Sequence, residues 1–353
     1  MARWSAIGHD WPMHVVAAPD KFRGTASARA VADVICRVAT NEGLTCGGMP
    51  VADGGEGTLE VLGGGNRTTT VSGPLGDPVV ARWRYSGGTA VIEMAQASGL
   101  ALVGGSKGND PVAATTYGTG ELIAHALDVG ANRVLVGVGG SASTDGGLGA
   151  LRALEPVSRL RGVELLVACD VRTRFIDAAP VFAPQKGATP AQVELLQRRL
   201  TRLVQVLDQT YGIDVSDLEG GGAGGGLGGG LAAVGGRLMS GFDVVADELA
   251  LHDRLEEADL VVTGEGFLDE QSFEGKVVGG VIELARQSGI PALVVVGEVL
   301  GGLVVPAALS PESVTVVSLV ERFGRERATT ETLSCIESVV GDYFVNHRPR
   351  VRG

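Results

Sequence analysis

The spacing of apolar residues along the chain changes character twice. Residues 14–18 form a short continuous apolar run, read as a buried strand, that breaks at Pro19-Asp20-Lys21-Phe22-Arg23-Gly24. Thr25 or Ser27 can then cap a helix whose apolar face, Val31, Val34, Ile35 and Val38, recurs at spacings of three and four until Gly43 stops it. From about residue 66 to 102 the texture turns to short β-like segments, 68–71, 79–85 and 90–94, divided by Gly and Pro turns as in an antiparallel meander. A helix over 120–129 and strands over 133–138 and 164–168 follow. The stretch 191–207 is an amphipathic helix with Val193, Leu196, Leu200, Leu203 and Leu207 on one face. Residues 219–230 are almost all glycine. An isolated tract of that kind reads as a linker, but Leu227 and Leu231 argue for a loop running into a packed helix. Alternating strands and helices then return: strands over 259–263, 292–297 and 313–319, helices over 277–288 and 329–344.

This order predicts an α/β protein in which one domain is made from both ends of the chain and a mixed domain is inserted between, with boundaries near residues 70 and 240. A length of 353 residues fits two domains. Composition sharpens the picture in three ways. With 4% aromatics, the cores must be built from Val, Leu, Ile and Ala; the 55 glycines imply many close backbone approaches; and a net charge of −12 disfavours nucleic acid and anionic membrane as partners. Any anionic substrate must be held by local cations or backbone amides. Cys36, Cys46, Cys169 and Cys335 show no CxxC or zinc spacing and are read as reduced thiols of a cytoplasmic protein. No signal-peptide core and no apolar run of spanning length is visible.

Candidate chemistry gathers where predicted strands end, the place at which open α/β sheets bind ligands. Asp20-Lys21 follows the first strand; as a lone pair it would more often be a solvated turn. Asp53-Gly54-Gly55-Glu56-Gly57 holds two carboxylates among glycines, equally suited to a cation, a substrate hydroxyl or a plain helix cap. Two Gly-rich helix starts, 115–120 and 137–147, offer clustered N–H groups and hydroxyls to an anion, among them Gly139, Gly140, Ser141 and Ser143, with Asp145 beside them. Asp170 follows another strand, and Lys186 is a cation an acidic protein needs. Finally 263–276 collects Glu265, Asp269, Gln271 and Lys276, dense for a surface loop. There is no Walker A motif, no GxSxG elbow, no protein-kinase set and no GxGxxG after the first strand; the five histidines do not cluster. Phosphoryl transfer fits what remains, since it asks mainly for positioning, charge neutralisation and a carboxylate for the hydroxyl.

The segments APDKFRG (18–24), ADGGEGT (52–58), GPLGDPV (73–79), IEMAQASGL (92–100), TTYGTGEL (115–122), GVGGSASTDGG (137–147), PQKGAT (184–189), GGGLGGGL (224–231) and VVTGEGFLDEQSFEGK (261–276) together resemble the bacterial two-domain glycerate kinases. The resemblance implies a flavodoxin-like parallel-sheet domain (1–70 and 241–353) carrying an inserted mixed α/β domain (71–240). It also implies ATP-dependent phosphorylation of D-glycerate with Mg²⁺, 2-phosphoglycerate being the favoured product, and leaves a homodimer open. Matched to that chemistry, Asp53 or Asp170 would orient or deprotonate the hydroxyl, while Lys21 and Lys186 would neutralise phosphate or carboxylate charge. Asp20, Glu56, Gly139, Gly140, Ser141, Ser143, Asp145, Gln271 and Lys276 would contact substrate or phosphate, and Glu265 and Asp269 the Mg²⁺. The chain departs from the pattern at Thr173-Arg174-Phe175, where Asn-Pro-Leu is usual, at a shortened 176–180, at Ala183 and Thr144, which stand for Gly and Asn, and at Arg23, which stands for Lys. These departures keep two other readings in view, a related kinase for a different hydroxy acid and a non-catalytic paralogue that only binds one; a sugar-phosphate isomerase is a more distant third.

Overall fold

A computed structural model of the protein describes residues 13–22, 24–269, 272, 276–300 and 313–347. In chain order the strands open with β1 (His14–Ala17) and β2 (Thr45–Gly48). The middle of the chain supplies β3 (Arg67–Ser72), β4 (Pro78–Ser86), β5 (Thr89–Glu93), β6 (Arg133–Gly137), β7 (Glu164–Ala168) and β8 (Arg237–Met239). The last part supplies β9 (Leu260–Leu268), β10 (Ala292–Val299) and β11 (Val314–Ser318). Two compact units result: residues 1–52 with 245–353, and residues 53–244. The segment 53–70 travels with the middle unit because its helix Thr58–Val61 packs on β5.

In the terminal unit five parallel strands run in the order β11-β10-β9-β1-β2, the flavodoxin-like doubly wound arrangement. Alternate residues of each strand face opposite sides of the sheet. Val15, Ala17, Val262, Leu293 and Val295 pack on the helices Ala28–Asn41 and Thr332–Asn346; Val294 and Val296 pack with Val278 and Ile282 of the helix Val277–Ser288. Ser27 caps the first helix, its hydroxyl accepting from Ala30 N. The expected helix over 329–344 is interrupted at Glu331, which separates Arg325–Thr330 from Thr332–Asn346.

The reading of all four cysteines as reduced thiols is corrected here. Cys36, on the first helix, is bonded to Cys46 on β2, which lies directly beneath it; Cys169 and Cys335 are free thiols. Ten residues separate Cys36 from Cys46, a spacing that matches no motif, and the helix packing against its own sheet is what brings them together.

The middle unit has six strands in sequential order, β3-β4-β5-β6-β7-β8. The expected antiparallel meander holds for β3 to β5, after which β5 to β8 pair parallel. Val134 and Val136 of β6 face a core shared with the helices Tyr117–Asp128 and Leu227–Ala232, and Leu135 faces Leu59 and Val244 on the other side. The glycine tract is packed structure. Gly228, Gly229 and Gly230 are buried within the helix Leu227–Ala232, and a Cβ on Gly225 would lie 2.0 Å from the Ser143 carbonyl oxygen. The long helix Pro190–Tyr211 starts with a capping box between Thr189 and Gln192 and buries Leu196, Leu200, Leu203 and Leu207.

Candidate active site

Strand register builds the middle unit's site. Glu93 pairs with Gly137, Gly137 with Ala168 and Ala168 with Met239, so the carboxyl ends of β5 to β8 finish in one row. The chain that leaves this row carries Gly139–Asp145, Asp170 and Gly241. The loop Asp53–Gly57 crosses above it, at a distance only glycine allows. A Cβ on Gly137 would lie 2.4 Å from Gly54 O, one on Gly54 2.7 Å from Gly241 Cα, and one on Gly241 1.9 Å from Asp53 O. The Asp53 carboxylate accepts from Gly55 N at 3.1 Å, and Asp170 accepts from Gly241 N at 2.8 Å. Asp53 and Asp170 are thus each fixed at the same sheet edge while remaining partly exposed. Glu56 points outward and is exposed.

Glu93, at the end of β5, is a residue that sequence reasoning passed over although it sits within IEMAQASGL. It is 4% exposed, and its Oε1 accepts from Gly57 N at 2.9 Å and from Leu59 N at 2.8 Å. Burial raises its pKa, and the two backbone donors pull it partly back. Glu93 therefore ties the Asp53–Gly57 loop to the sheet. The signal available was an acid closing an otherwise apolar strand, Ala90-Val91-Ile92-Glu93.

Lys186 ends the short turn Pro184–Lys186, and Gly187 (φ +96°) passes under Ser106 too closely for any side chain. The lysine is 3% exposed. Its Nζ donates to Ser141 Oγ at 2.7 Å and to the Ser143 carbonyl at 2.6 Å. Desolvation lowers its pKa to about 7, with Asp145 acting in the opposite sense. Asn109 stitches the same region, its Nδ2 donating to Ala142 O and Lys186 O. The Ser143 hydroxyl is fully buried and has no hydrogen-bond partner among the described residues.

Asp145 and the glycine-rich start 115–120 have a different task. The Asp145 carboxylate accepts from the hydroxyls of Thr115 and Thr116 and from the backbone N–H groups of Thr116, Gly147 and Gly149. An acceptor so occupied braces one loop against the other. Gly118 and Gly120 allow their helix to touch Ser72 O and Ala150 O, so these glycines serve packing. The departures at 173–175 are likewise absorbed by structure: Arg174 bonds Asp177 and Asp217, and Phe175 is fully buried against the glycine tract.

In the terminal unit, β9 runs on to Leu268, so Glu265 stands on the strand itself rather than in the loop expected after residue 263. Asp20, at the end of β1, is 7% exposed; its backbone N–H donates to Gly264 O and its carboxylate accepts from the half-buried Lys21 N–H. Glu265 Oε1 is buried and has no hydrogen-bond partner among the described residues. Desolvation, followed at a distance by the charges of Asp20 and Asp269, raises Glu265 to about 7, against the pull of Ser272 and Lys276. Asp269 accepts from Ser272 N and Oγ, and Lys276 precedes the helix Val277–Ser288. Gln271 lies outside the described residues. No cluster of three or more His, Cys, Asp or Glu side chains suited to a metal occurs among the described residues. Mg²⁺ keeps most of its waters and takes one or two carboxylates beside substrate phosphates, so the orphaned oxygen of Glu265, with Asp269 near it, fits that ion as a partial ligand set.

A sequence profile of the glycerate kinase family matches residues 15–158 and 155–334. Similar proteins include the glycerate 2-kinase of Escherichia coli K12, 37% identical over 81% of this chain and 85% of its own length. The glycerate kinase of Halalkalibacterium halodurans is 38% identical over 80% and 85%. A crystal structure from Salmonella typhimurium LT2, provisionally assigned as glycerate kinase 2, superposes with a TM-score of 0.79 at 34% identity, covering 95% of this chain and 99% of that one. The chain belongs to the glycerate kinase family of enzymes.

Proposed function

We propose that the protein transfers the γ-phosphoryl group of ATP to D-glycerate, giving 2-phosphoglycerate, with Mg²⁺ as the required ion. The observation that carries this reading is the buried Lys186, held by Ser141 and Ser143 at the same sheet edge as Asp53 and Asp170. A desolvated ammonium on a glycine-built loop is a preorganised partner for carboxylate or phosphoryl charge, which a low-dielectric site makes count for more than in water. Asp53 or Asp170 orients the glycerate hydroxyl and takes its proton as the oxygen attacks phosphorus, the bond to the ADP oxygen breaking in line. Gly139, Gly140 and Ser143 supply further donors to the anion, and Lys21 and Lys276 add positive charge near the ends of β1 and β9.

Glu265 and Asp269 would hold Mg²⁺, whose contribution when bound is to neutralise charge on the nucleotide phosphates. A cytoplasmic location is part of this reading; among the described residues no helix is long and apolar enough to cross a membrane. The direct test is ADP release coupled to D-glycerate, with the phosphorylated carbon identified by NMR. Glycerate-dependent ADP formation with phosphate on the second carbon is expected. ADP formation only with another hydroxy acid, or ligand binding without ADP, would replace the proposal with the altered-substrate or non-catalytic reading.

A further inference from the structure

Beside the Ser143–Asp145 segment lies a cavity of about 560 Å³, wholly within the middle unit, which the proposed reaction does not use, although Thr144 and Asp145 of the 137–147 motif border it. Its size suits a small organic ligand. The floor is aliphatic, formed by Leu148, Leu196, Leu200 and Leu203, with no aromatic ring in the lining. Its polar side is unusual for a chain of net charge −12, because Arg152 from one helix meets Arg198, Arg199 and Arg202 from another. Among the described residues only Arg198 of these four has a carboxylate partner, Glu194 at 4.0 Å. Arg199 donates to Val112 O and Arg202 to Gln205, both neutral acceptors. The Asp145 carboxylate borders the cavity but is occupied by Thr115, Thr116, Gly147 and Gly149. A second observation points to a ligand. Thr144 lines the cavity, is 1% exposed, and its hydroxyl has no hydrogen-bond partner among the described residues.

We propose that this cavity binds a small organic anion with an aliphatic body, its acidic head held by Arg152, Arg199 and Arg202 and by the Thr144 hydroxyl. Guanidinium groups without carboxylate partners complement a carboxylate or phosphate head, and the leucine floor takes the tail. Such a ligand touches Thr144 and Asp145, the residues that directly follow the carbonyl accepting from Lys186. Its occupancy therefore bears on how that lysine is held.

The test uses the full chain, calorimetric titration, and decanoate, decyl phosphate and decanol as probes. Saturable one-to-one binding of at least one of the two anions is expected, and which one binds identifies the head group. The double variant R152Q/R202Q, altered at exposed positions only, should weaken that binding about tenfold or more while leaving the melting temperature unchanged. Decanol, lacking charge, should bind at least about tenfold more weakly. Absence of saturable binding by both anions, equal affinity in the double variant, or decanol binding as well as the anions would each overturn the proposal.

Discussion

The Lys186 region and the Glu265 region are built from the same materials and end in opposite states. Lys186 reaches the loop that leaves β6 and Glu265 stands on β9 near its carboxyl end, both beside glycines, and each group has its pKa brought to about 7 chiefly by desolvation. Lys186 is satisfied: Ser141 and Ser143 accept from it, and Asn109 and Asp145 brace the loops around it. Glu265 keeps a buried oxygen with no hydrogen-bond partner among the described residues. On the proposed reading, the difference shows how one architecture would prepare for ligands of opposite sign: a cation for an anion fixed in advance by neutral dipoles, and a carboxylate for a cation left short of donors that the incoming ion would replace.

The comparison can be pressed hardest at Lys186. Lys186→Met should lower kcat/KM for glycerate phosphorylation by ~10²–10³-fold, since it removes a preorganised donor from a desolvated site. Lys186→Gln should do nearly the same, and circular dichroism should show both variants folded; wild-type turnover in either would reduce the lysine to a packing element. Asp53→Asn comes next, with kcat lowered by on the order of 10²-fold at an unchanged melting temperature. If Asp170→Asn shows the larger loss, the two carboxylates exchange roles.

A smaller effect is expected at Glu93, which acts through the Asp53–Gly57 loop. Glu93→Ala should lower kcat about tenfold with little change in KM, and Glu93→Gln, which keeps an acceptor for the two N–H groups, should recover part of the loss. Equal losses in the two variants would point to charge instead of loop position.

The smallest effects are the pH slopes of stability, and here the two regions should diverge. Lys186 in the folded state loses its proton near pH 7 rather than at its ordinary 10.5, so the unfolded chain holds more protons across that window and this group makes stability rise with pH. Glu265, raised from 4.5 to about 7, makes stability fall as pH climbs through that lower window. Urea titrations of Lys186→Met and Glu265→Gln should each lose one of these slopes and keep the other.

Periodicity and strand-end logic made much of this legible. The buried run at 14–18, the face of the first helix and the leucines of 191–207 gave elements close to those observed, since each carries a complete hydrophobic repeat. The short strands β2 and β8 were not legible: Thr45-Cys46-Gly47-Gly48 and Arg237-Leu238-Met239 carry no repeat of their own and are strands because a neighbour pairs with them. At the site, Asp170 was visible as a polar residue after a strand, Asp53 as a carboxylate among glycines, and Lys186 as a cation in an acidic chain. Glu93 and the bracing role of Asp145 were not, because both depend on backbone N–H groups from distant loops, and sequence does not say which amides a carboxylate will meet.

The glycine tract leaves a last consequence. Beneath Ser143–Gly147 the supporting surface is main chain: a Cβ on Gly225 or Gly226 would strike Ser143 or Gly146, and one on Gly229 would strike the ring of Phe175. A wall of that kind cannot be retuned one side chain at a time, because every substitution is an insertion of volume where none exists. Adjustment of this loop therefore falls to the side chains packed on the glycines, Phe175 against Gly226 and Gly229, and Phe175 with Leu200 and Leu203 against Gly146.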